Sequence, residues 1–353
     1  MKVLTLKCKN FRNLSEVEFT PCDETNVICG ENAQGKTNLL EAIWLFTGAK
    51  SFRTNKDADF LKFDSQKAVL NLNFLSEGIE NEAEITITDK RRVKFNQNKL
   101  SSAAGMAGKF NAVIFSPVDL SLVADGPSVR RRFLDTAIGQ IYPSYITLLK
   151  NYLRAIAQRN KVIKEYRFDA TLSIMLDVFE EEIAENGKKI TEFRQKYIEN
   201  LNQFLPKVYD GISAGREELT TKYLFSFSGD FKEALKNSRK EDMFTGTTSI
   251  GPHRDDIDFK INGISARKFG SQGQKRSVAL AVKLAEAEVI KKNTGECPII
   301  LLDDVMSELD ATRQNYILNH IKGMQSFITC CDDQSVKNLI AGKKIVVKNG
   351  SVL

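Results

Sequence analysis

The sequence predicts an α/β protein with two parts, a phosphate-binding lobe on a mixed β-sheet and a second, largely helical lobe without a long coiled coil. Three observations indicate this. A glycine-bounded loop that fits a phosphate-binding pattern lies between a strand-like run and a helix-like run. A later apolar run ends in two aspartates. Between these, residues 128–205 show the periodicity and charge of long helices.

The chain of 353 residues is long enough for one large or two ordinary domains. We assign residues 1–116 and 293–353 to the phosphate-binding lobe and residues 117–292 to the helical lobe. No apolar stretch approaches the roughly 20 residues of a membrane span. The N-terminus alternates like a strand and lacks the apolar core of a secretory signal. We therefore expect a cytoplasmic protein without a membrane partner.

Apolar alternation and short apolar runs predict the strands, and longer periodic stretches predict the helices. The predicted strands are residues 3–9, 15–20, 25–29, 68–75, 82–88, 112–115, 220–228, 256–261, 298–302, 326–330 and 344–347. The predicted helices are residues 38–46, 128–165, 170–205 and 274–292, with a break near 166–169 and a candidate interruption at Asn186-Gly187.

The phosphate-binding pattern G-x-x-x-x-G-K-[ST] occurs without a mismatch at Gly30–Thr37. Its glycines let the backbone turn so that N–H groups converge on phosphate oxygens, and the following helix adds a partial positive charge. Lys36 can reach the β- and γ-phosphates of ATP, and Thr37 can place its hydroxyl on Mg²⁺. The predicted nucleotide contacts of this segment are Gly30, Glu31, Asn32, Ala33, Gln34, Gly35, Lys36, Thr37 and Asn38.

The run Ile299-Ile300-Leu301-Leu302 ends in Asp303 and Asp304. A carboxylate at the end of a buried strand can hold Mg²⁺, which prefers oxygen ligands. We therefore predict that Asp303 shares the metal with Thr37 and that Asp304 polarises the water that attacks the γ-phosphate. Taken alone, this pattern would indicate an ordinary strand entering a loop. The metal-binding interpretation is favoured only because the chain also contains the phosphate loop.

A third element, Ser271-Gln272-Gly273-Gln274, opens the predicted helix 274–292. Ser271 can cap this helix, Gly273 allows close backbone approach, and a helix N-terminus attracts anions. Taken alone, the motif is an ordinary cap. We predict that Ser271, Gly273 and Gln274 contact a nucleotide.

These elements, together with Ser307-Glu308-Leu309-Asp310 after the two aspartates, resemble in type and order the ABC-type ATPases. The resemblance implies an ABC-type ATPase head lobe. It also implies that the Ser271 motif contacts the γ-phosphate held by the phosphate loop of a second copy, so that ATP joins two head-to-tail subunits and hydrolysis releases them.

Over nearly its whole length the chain resembles the RecF family of bacterial recombination-repair ATPases. The matching segments are Asn10-Phe11-Arg12-Asn13, Gly30–Asn38 with Leu39-Leu40-Glu41-Ala42, Ser51-Phe52-Arg53, Phe115-Ser116-Pro117, Arg130–Asp135, Gly251-Pro252-His253-Arg254-Asp255-Asp256, Ser271–Arg276, Leu302–Val305 and Ser307–Asp310. The resemblance implies that Arg12 and Asn13 lie near the nucleotide. It gives no role to His253 or Arg254.

The family resemblance also implies partners and an activity. These are ATP-dependent binding of double-stranded and gapped DNA, an ATP-dependent homodimer, and cooperation with RecO and RecR in loading RecA at single-strand gaps. Hydrolysis of ATP to ADP and phosphate would be slow and would act as a switch, with no other catalytic activity.

Basic runs occur at Lys90-Arg91-Arg92, at Arg130-Arg131-Arg132 and along residues 150–167. Each is as easily a solvated face as a phosphate contact. In the family interpretation, the last two runs form walls of a cleft that neutralises DNA phosphates without reading sequence. Arg131 or Arg132 could equally form an ion pair with Asp135.

Two alternatives stay open on the sequence. An ATPase subunit of a transport system would share the phosphate loop, but no histidine follows strand 326–330, where such subunits keep one. A nucleic-acid-processing enzyme driven by ATP would need a further acidic or histidine-rich metal site.

Overall fold

The computed structural model describes residues 1–54, 56–166, 173–331 and 342–353. Within these ranges the strands are β1 (Lys2–Phe11), β2 (Leu14–Phe19), β3 (Thr25–Cys29), β4 (Ala68–Ser76), β5 (Ile79–Ile87), β6 (Arg91–Phe95), β7 (Asn98–Lys99), β8 (Ala112–Phe115), β9 (Leu219–Leu224), β10 (Asp256–Ile261), β11 (Ile264–Ser265), β12 (Ile299–Leu302), β13 (Ser326–Cys330), β14 (Lys343–Lys348) and β15 (Ser351–Val352).

The helices of the same ranges lie mostly in the middle of the chain. They are α1 (Lys36–Leu45), α2 (Ser121–Ala124), α3 (Pro127–Ile141), α4 (Pro143–Tyr166), α5 (Ser173–Asn202), α6 (Leu205–Ser213), α7 (Phe231–Asn237), α8 (Arg239–Thr245), α9 (Ala266–Phe269), α10 (Gln272–Thr294) and α11 (Ala311–His320). None of these helices has a stretch long and apolar enough to cross a lipid bilayer.

The strands form three sheets. The central sheet has the order β15-β14-β3-β13-β12-β8, and its strands are parallel except for β15. An antiparallel sheet has the order β2-β1-β4-β5-β6-β7, and a small one has the order β11-β10-β9. The central sheet is therefore mixed, as predicted. The small sheet of β9, β10 and β11 comes from the part of the chain that was predicted to be largely helical.

Strands β3, β13, β12 and β8 of the central sheet are buried on both faces, which is why they read as largely apolar runs. Along β12, Ile299 and Leu301 pack into one core with α1 and the antiparallel sheet. Ile300 and Leu302 pack into a second core with the helices, including α10. Successive strand residues point to opposite faces, so one short run supplies both cores. The predicted α/β class is confirmed for the described residues.

The predicted elements are found, with differences in the helices and with further short elements that were not predicted. The helix predicted at 128–165 is divided at Tyr142-Pro143, since proline lacks an N–H and disfavours helix in the preceding residue. Asn186-Gly187 does not interrupt α5, and a side chain at Gly187 would come within 2.4 Å of the Phe231 ring. Strand β6 was missed because its arginines looked like a basic run. The predicted break near 166–169 falls almost wholly outside the described residues.

The longest helices, α4 and α5, pack against each other and do not extend into a long coiled coil within the described ranges. A buried arginine joins them. Arg159 donates to Glu180 of α5, to Asp242 of α8 and to Thr248, with distances between 2.7 and 3.1 Å. It is fully buried, so this member of the 150–167 basic run is structural. Arg167 lies outside the described residues.

Arg130 is likewise buried and forms a two-bond ion pair with Asp256, at 2.6 and 3.0 Å. The suggested pairing of Asp135 with Arg131 or Arg132 is wrong, because Arg194 of α5 pairs with Asp135 at 2.7 Å. Two of the predicted phosphate-binding arginines are therefore used to hold the helical part together.

The segment Gly251–Asp256, which had no assigned role, connects the helices to β9 and β10. The carbonyl of Pro252 accepts from Arg194, and Asp255 accepts from Tyr223 at 2.6 Å. The His253 ring lies between the Tyr152 hydroxyl, 2.7 Å from Nδ1, and the Thr248 carbonyl, 3.1 Å from Nε2. Its neighbours therefore fix the ring of His253 from both sides.

We predict that Arg159→Ala destabilises the protein by about 3–5 kcal/mol, because it leaves the buried carboxylate of Asp242 without its cation and leaves Glu180 with Arg239 alone. The exposed Lys161 on the same helix provides a control, and Lys161→Ala should change stability by no more than about 0.5 kcal/mol. Urea unfolding measures both. Equal midpoints for the two variants would contradict the structural role of Arg159.

Stability should also depend on pH through His253. Burial, with the nearby Arg254 and Arg131 cations, lowers the pKa of His253 from 6.5 to about 4. The unfolded chain therefore takes up this proton first as the pH falls. The contribution is fully present above about pH 6.5 and is lost towards pH 4, by at most about 1.4 kcal/mol per pH unit. Unfolding of His253→Gln should show a shallower dependence between pH 6.5 and 5, and identical slopes would refute this assignment.

Candidate functional site

Three neighbouring parallel strands bring together the predicted residues of the phosphate loop and the two aspartates, whereas Arg12 and Asn13 follow β1 and the Ser271 motif begins α10. Strand β13 lies between β3 and β12, with Cys330 paired with Cys29 and Ile328 with Leu302. The carboxyl ends of parallel strands meet at one edge of a sheet, and ligands commonly bind there. The loop after β3, the end of β13 and the aspartates after β12 therefore face one another.

The loop between β3 and α1 requires both of its glycines. A side chain at Gly30, where φ is +158°, would come within 2.4 Å of the Val347 carbonyl oxygen. At Gly35, where φ is +116°, it would come within 2.7 Å of the Asn13 side-chain oxygen. Any larger residue would displace the loop backbone, so the tight turn needed for a phosphate cradle depends on these two positions.

Lys36 begins α1 and bends back over the loop. Its ammonium group donates to the carbonyls of Gly30 and Glu31, the latter at 2.9 Å, and lies 3.5 Å from the Cys331 sulfur. The lysine is largely buried, at 8% exposure. A phosphate oxygen entering the loop would replace neutral carbonyls as partners of this cation with a charge-assisted bond.

Thr37 and Asp303 meet across the sheet edge, with the threonine hydroxyl donating to the aspartate at 2.8 Å. The Thr329 hydroxyl at the end of β13 donates to the same carboxylate oxygen at 3.1 Å. Burial raises the pKa of Asp303 above its usual range, against the effect of both hydroxyls. A divalent cation there would favour the ionised carboxylate, and these hard oxygens fit Mg²⁺.

Asp304 has a left-handed backbone, with φ at +52°, where the chain turns sharply after β12. Its N–H donates to the Thr329 hydroxyl at 2.8 Å, and its carboxylate accepts from Ser307 at 3.0 Å. Its side chain is exposed whereas that of Asp303 is buried. The turn thus separates the two carboxylates into one held under the loop and one open to solvent.

Asn13 and Arg12, in the turn between β1 and β2, lie beside the loop. Asn13 donates to the Ala33 carbonyl at 2.9 Å and accepts from Asn38 at 2.7 Å, so it joins the loop to α1. Arg12 forms two bonds of 2.9 Å with Glu41, a fully buried residue of α1. In this structure Arg12 thus positions α1 through Glu41.

The remaining loop residues have separate partners. Gln34 accepts from the backbone N–H groups of Asn349 and Gly350, which fixes the loop to the turn between β14 and β15. The Asn32 side-chain oxygen accepts from the Cys331 sulfur at 2.9 Å. Glu31 is exposed and contributes its carbonyl to Lys36.

Ser271 caps α10 in a reciprocal capping box. Its hydroxyl accepts from the Gln274 N–H at 3.2 Å, and the Gln274 side chain accepts from the Ser271 N–H at 2.8 Å. The amide nitrogen of Gln274 donates to Glu217 at 2.6 Å. Gln274 is therefore engaged at both ends within the chain, whereas Ser271 is exposed.

Gly273 is not required by packing. A side chain there would meet only the Ser271 hydroxyl, at 3.9 Å. One helical turn later, Arg276 contacts the loop after the aspartates, through the Glu308 carboxylate at 2.9 Å and carbonyl at 3.1 Å. Helix α10 is thereby tied to the segment that follows Asp304.

Sequence reasoning missed two positions. Thr329 holds both aspartates in place. The sequence feature that could have predicted this role is a hydroxyl residue at the end of the strand next to β12. Glu41 is the buried acceptor for Arg12, for Ser51 and, at 3.5 Å, for Arg53. Arg53 also donates to Asn38 at 2.6 Å. The matched segment Ser51-Phe52-Arg53 thus contributes to the same network, although no role was predicted for it.

The fold and this edge of the sheet define a class: a phosphate-loop protein of the ABC and SMC type. Residues 2–352 match the family model described as the RecF/RecN/SMC N terminal domain. An Smc head domain from Pyrococcus furiosus has a similar fold, with a TM-score of 0.56 at 16% identity over 99% of this chain and 95% of that one.

Relatives narrow the class. The DNA replication and repair protein RecF of Clostridium acetobutylicum is 40% identical over 94% of this chain and 93% of its own. The protein of the same name from Bacillus cereus is 38% identical over 100% and 98%. A solved structure of the recombination mediator protein RecF with ATP, in the RecFOR pathway, has a TM-score of 0.92 at 36% identity over 100% and 97%. The chain belongs to the RecF family.

We predict that Lys36→Ala weakens ATP binding about tenfold to a hundredfold, since a charge-assisted contact contributes about 1.5–3 kcal/mol. Titration calorimetry with Mg-ATP measures the change. The exposed Lys9 gives a charge-matched control, and Lys9→Ala should bind ATP like the unaltered chain. Unchanged affinity in Lys36→Ala would remove this lysine from the site.

Proposed function

We propose that this chain is an ATP-dependent DNA-binding clamp of recombinational repair. Two copies close on ATP, and each triphosphate lies between the phosphate loop of one copy and the Ser271 turn of the other. The closed dimer binds duplex or gapped DNA and works with RecO and RecR to load RecA at single-strand gaps. Action on chromosomal DNA places it in the cytoplasm.

Binding of ATP with Mg²⁺ is supported by the charges and donors at the sheet edge. Lys36 supplies a cation whose partners are carbonyls and a thiol, and α1 presents its N-terminus to the loop. Thr37 and Asp303 supply the oxygens for the metal. ATP is also the ligand named for the RecF structure with the same fold.

The observation that carries the two-copy arrangement is Gly273. A glycine in the first turn of a helix costs conformational entropy, and nothing in its own chain occupies the space of a side chain. The exposed Ser271 lies two residues away, and the neighbouring Phe269 is 74% exposed. A helix N-terminus that is open in one copy fits a phosphate group delivered by another copy.

DNA binding is supported by the cations that stay exposed on α4. Lys150, Arg154, Lys161 and Lys164 are exposed, unlike Arg159 of the same helix. Cations spread along an exposed helix suit the phosphate backbone and read no sequence, in agreement with binding to any duplex.

Hydrolysis is proposed to release the dimer. Asp304, exposed beside the buried metal ligand Asp303, is placed to polarise a water at the γ-phosphate. The bond from Ser307 fixes its carboxylate, and Ser307 belongs to the loop that Arg276 ties to α10. Loss of the γ-phosphate next to Asp304 could therefore be transmitted through this loop to α10, the helix proposed to contact the second copy.

We predict that Ser271→Arg leaves the affinity for Mg-ATP unchanged but abolishes the ATP-dependent dimer, because a bulky cation fills the space of the partner's phosphates. Gly273→Ala tests the same point with a smaller change. It should stabilise the monomer by about 0.5–1 kcal/mol and still weaken the dimer.

Analytical ultracentrifugation with and without ATP measures this. Ser101→Arg, an exposed serine beyond β7, is the control and should dimerise normally. Normal ATP dimers of Ser271→Arg would refute the two-copy site.

Asp304→Asn should bind Mg-ATP and dimerise but hydrolyse at least about tenfold more slowly, since general-base groups contribute roughly 10²–10⁴-fold. Asp303→Asn is the contrasting variant, and it should lose Mg²⁺-dependent binding. Phosphate release and dimer lifetime are the measurements. A wild-type rate in Asp304→Asn would exclude it as the water-activating residue.

A further inference from the structure

A cavity of about 770 Å³ lies apart from the phosphate loop, between the end of α1 and the helices α3 and α4. Residues 47–50, Ala104 and Ala107 form one side. Residues of α3 and α4, with Arg194 and His253, form the other. The volume is within the usual range for small-molecule sites, about 300–1,000 Å³. The phosphate loop and the Ser271 turn do not line this cavity, and of the cations proposed to contact DNA only Lys150 does.

The lining carries an excess of positive charge. Its cations are Lys50, Arg131, Arg132, Lys150 and Arg194, and its only carboxylate is Asp135. Asp135 is paired with Arg194.

The two central arginines keep their charge. Arg131 donates to the Asp255 carbonyl at 2.8 Å, and Arg132 to the Ser51 carbonyl at 2.5 Å. A carbonyl satisfies an N–H without neutralising a guanidinium. Burial and the nearby Arg194 and Arg254 lower the pKa of Arg131, which indicates mutual repulsion among these cations. His253, with a pKa of about 4, adds no charge at neutral pH.

The rest of the lining is apolar or small. Ile146, Leu149 and Leu153 form a wall on α4, and Gly48, Ala49 and Gly139 leave room on the other sides. Apolar walls with a few cations suit a ligand that has both a flat ring and phosphate groups.

We propose that this cavity binds a phosphate-bearing ligand of nucleotide size, with its phosphates at Arg131, Arg132 and Lys50 and its ring against the wall of α4. Two sources share this chemistry, a free nucleotide and the terminal nucleotide of a DNA strand. A whole duplex is too large for the cavity.

The cavity is connected to the phosphate loop by hydrogen bonds. Arg132 donates to the Ser51 carbonyl, and the Ser51 hydroxyl donates to Glu41. Glu41 holds Arg12 and Arg53 against α1. A ligand that draws Arg132 away from Ser51 would act on this network, so its occupancy and ATP affinity should be linked, each changing the other by the same factor. This coupling, unlike the cavity itself, rests on the proposed function.

The test uses the full chain with Lys36→Ala, which weakens nucleotide binding at the phosphate loop, and charge reversal in the cavity lining then separates binding in the cavity from any binding that remains at the loop. Two probes are titrated by fluorescence and calorimetry, an N-methylanthraniloyl ADP and a 5′-phosphorylated thymidine dinucleotide. At least one should bind. Adding Lys50→Glu and Lys150→Glu reverses two exposed cations of the lining and should weaken binding at least about tenfold. Binding of the first probe alone identifies a free nucleotide, and binding of the second alone identifies a strand end.

The control adds Lys188→Glu and Lys240→Glu instead, which changes the net charge equally at exposed positions outside the lining. It should bind like the Lys36→Ala chain. The proposal is overturned if neither probe binds that chain, if neither charge-reversal pair weakens binding, or if both pairs weaken binding alike. ATP binding by the unaltered chain is measured alongside. Its absence would count against the proposed function, whereas the two probes alone decide whether the cavity binds a ligand.

Discussion

The contact between Thr37 and Asp303, supported by Thr329, is the interaction on which the candidate site depends. It joins the phosphate loop to the aspartates across three parallel strands. The strand order fixes it, because β13 lies between β3 and β12 and delivers Thr329 to the space between them. Any change that moved these strands would separate the phosphate-binding cation from the metal-binding carboxylate.

Much of this site follows from local sequence. The phosphate loop, the run ending in Asp303 and the cap at Ser271 are each defined within about ten residues, and their physical requirements are strict. Gly30 and Gly35 admit no side chain, and a strand that is buried on both faces must be largely apolar. For the same reason the predicted strands of the central sheet agree with the structure to within a residue or two.

Positions that depend on distant contacts were not predictable from the chain. Thr329 and Glu41 contribute to the site through contacts with residues that are distant in the sequence and that only the fold brings near. The phosphate contacts predicted from the basic runs were wrong in part for a different reason, since charge alone does not separate an exposed cation from a buried one. Arg130 pairs with Asp256, and Arg159 pairs with Asp242 and with Glu180 on another helix. No local sequence pattern predicts such distant pairs.

The central claim is that a phosphate loop and a Ser271 turn from different copies form one site, and mixing two inactive variants tests it directly. Lys36→Ala lacks the loop cation, and Ser271→Arg lacks the turn, so each should hydrolyse ATP poorly alone. A mixed dimer contains one intact composite site, and hydrolysis should therefore reappear on mixing. If the mixture stays as inactive as its components while the two chains still associate, the two-copy site is wrong.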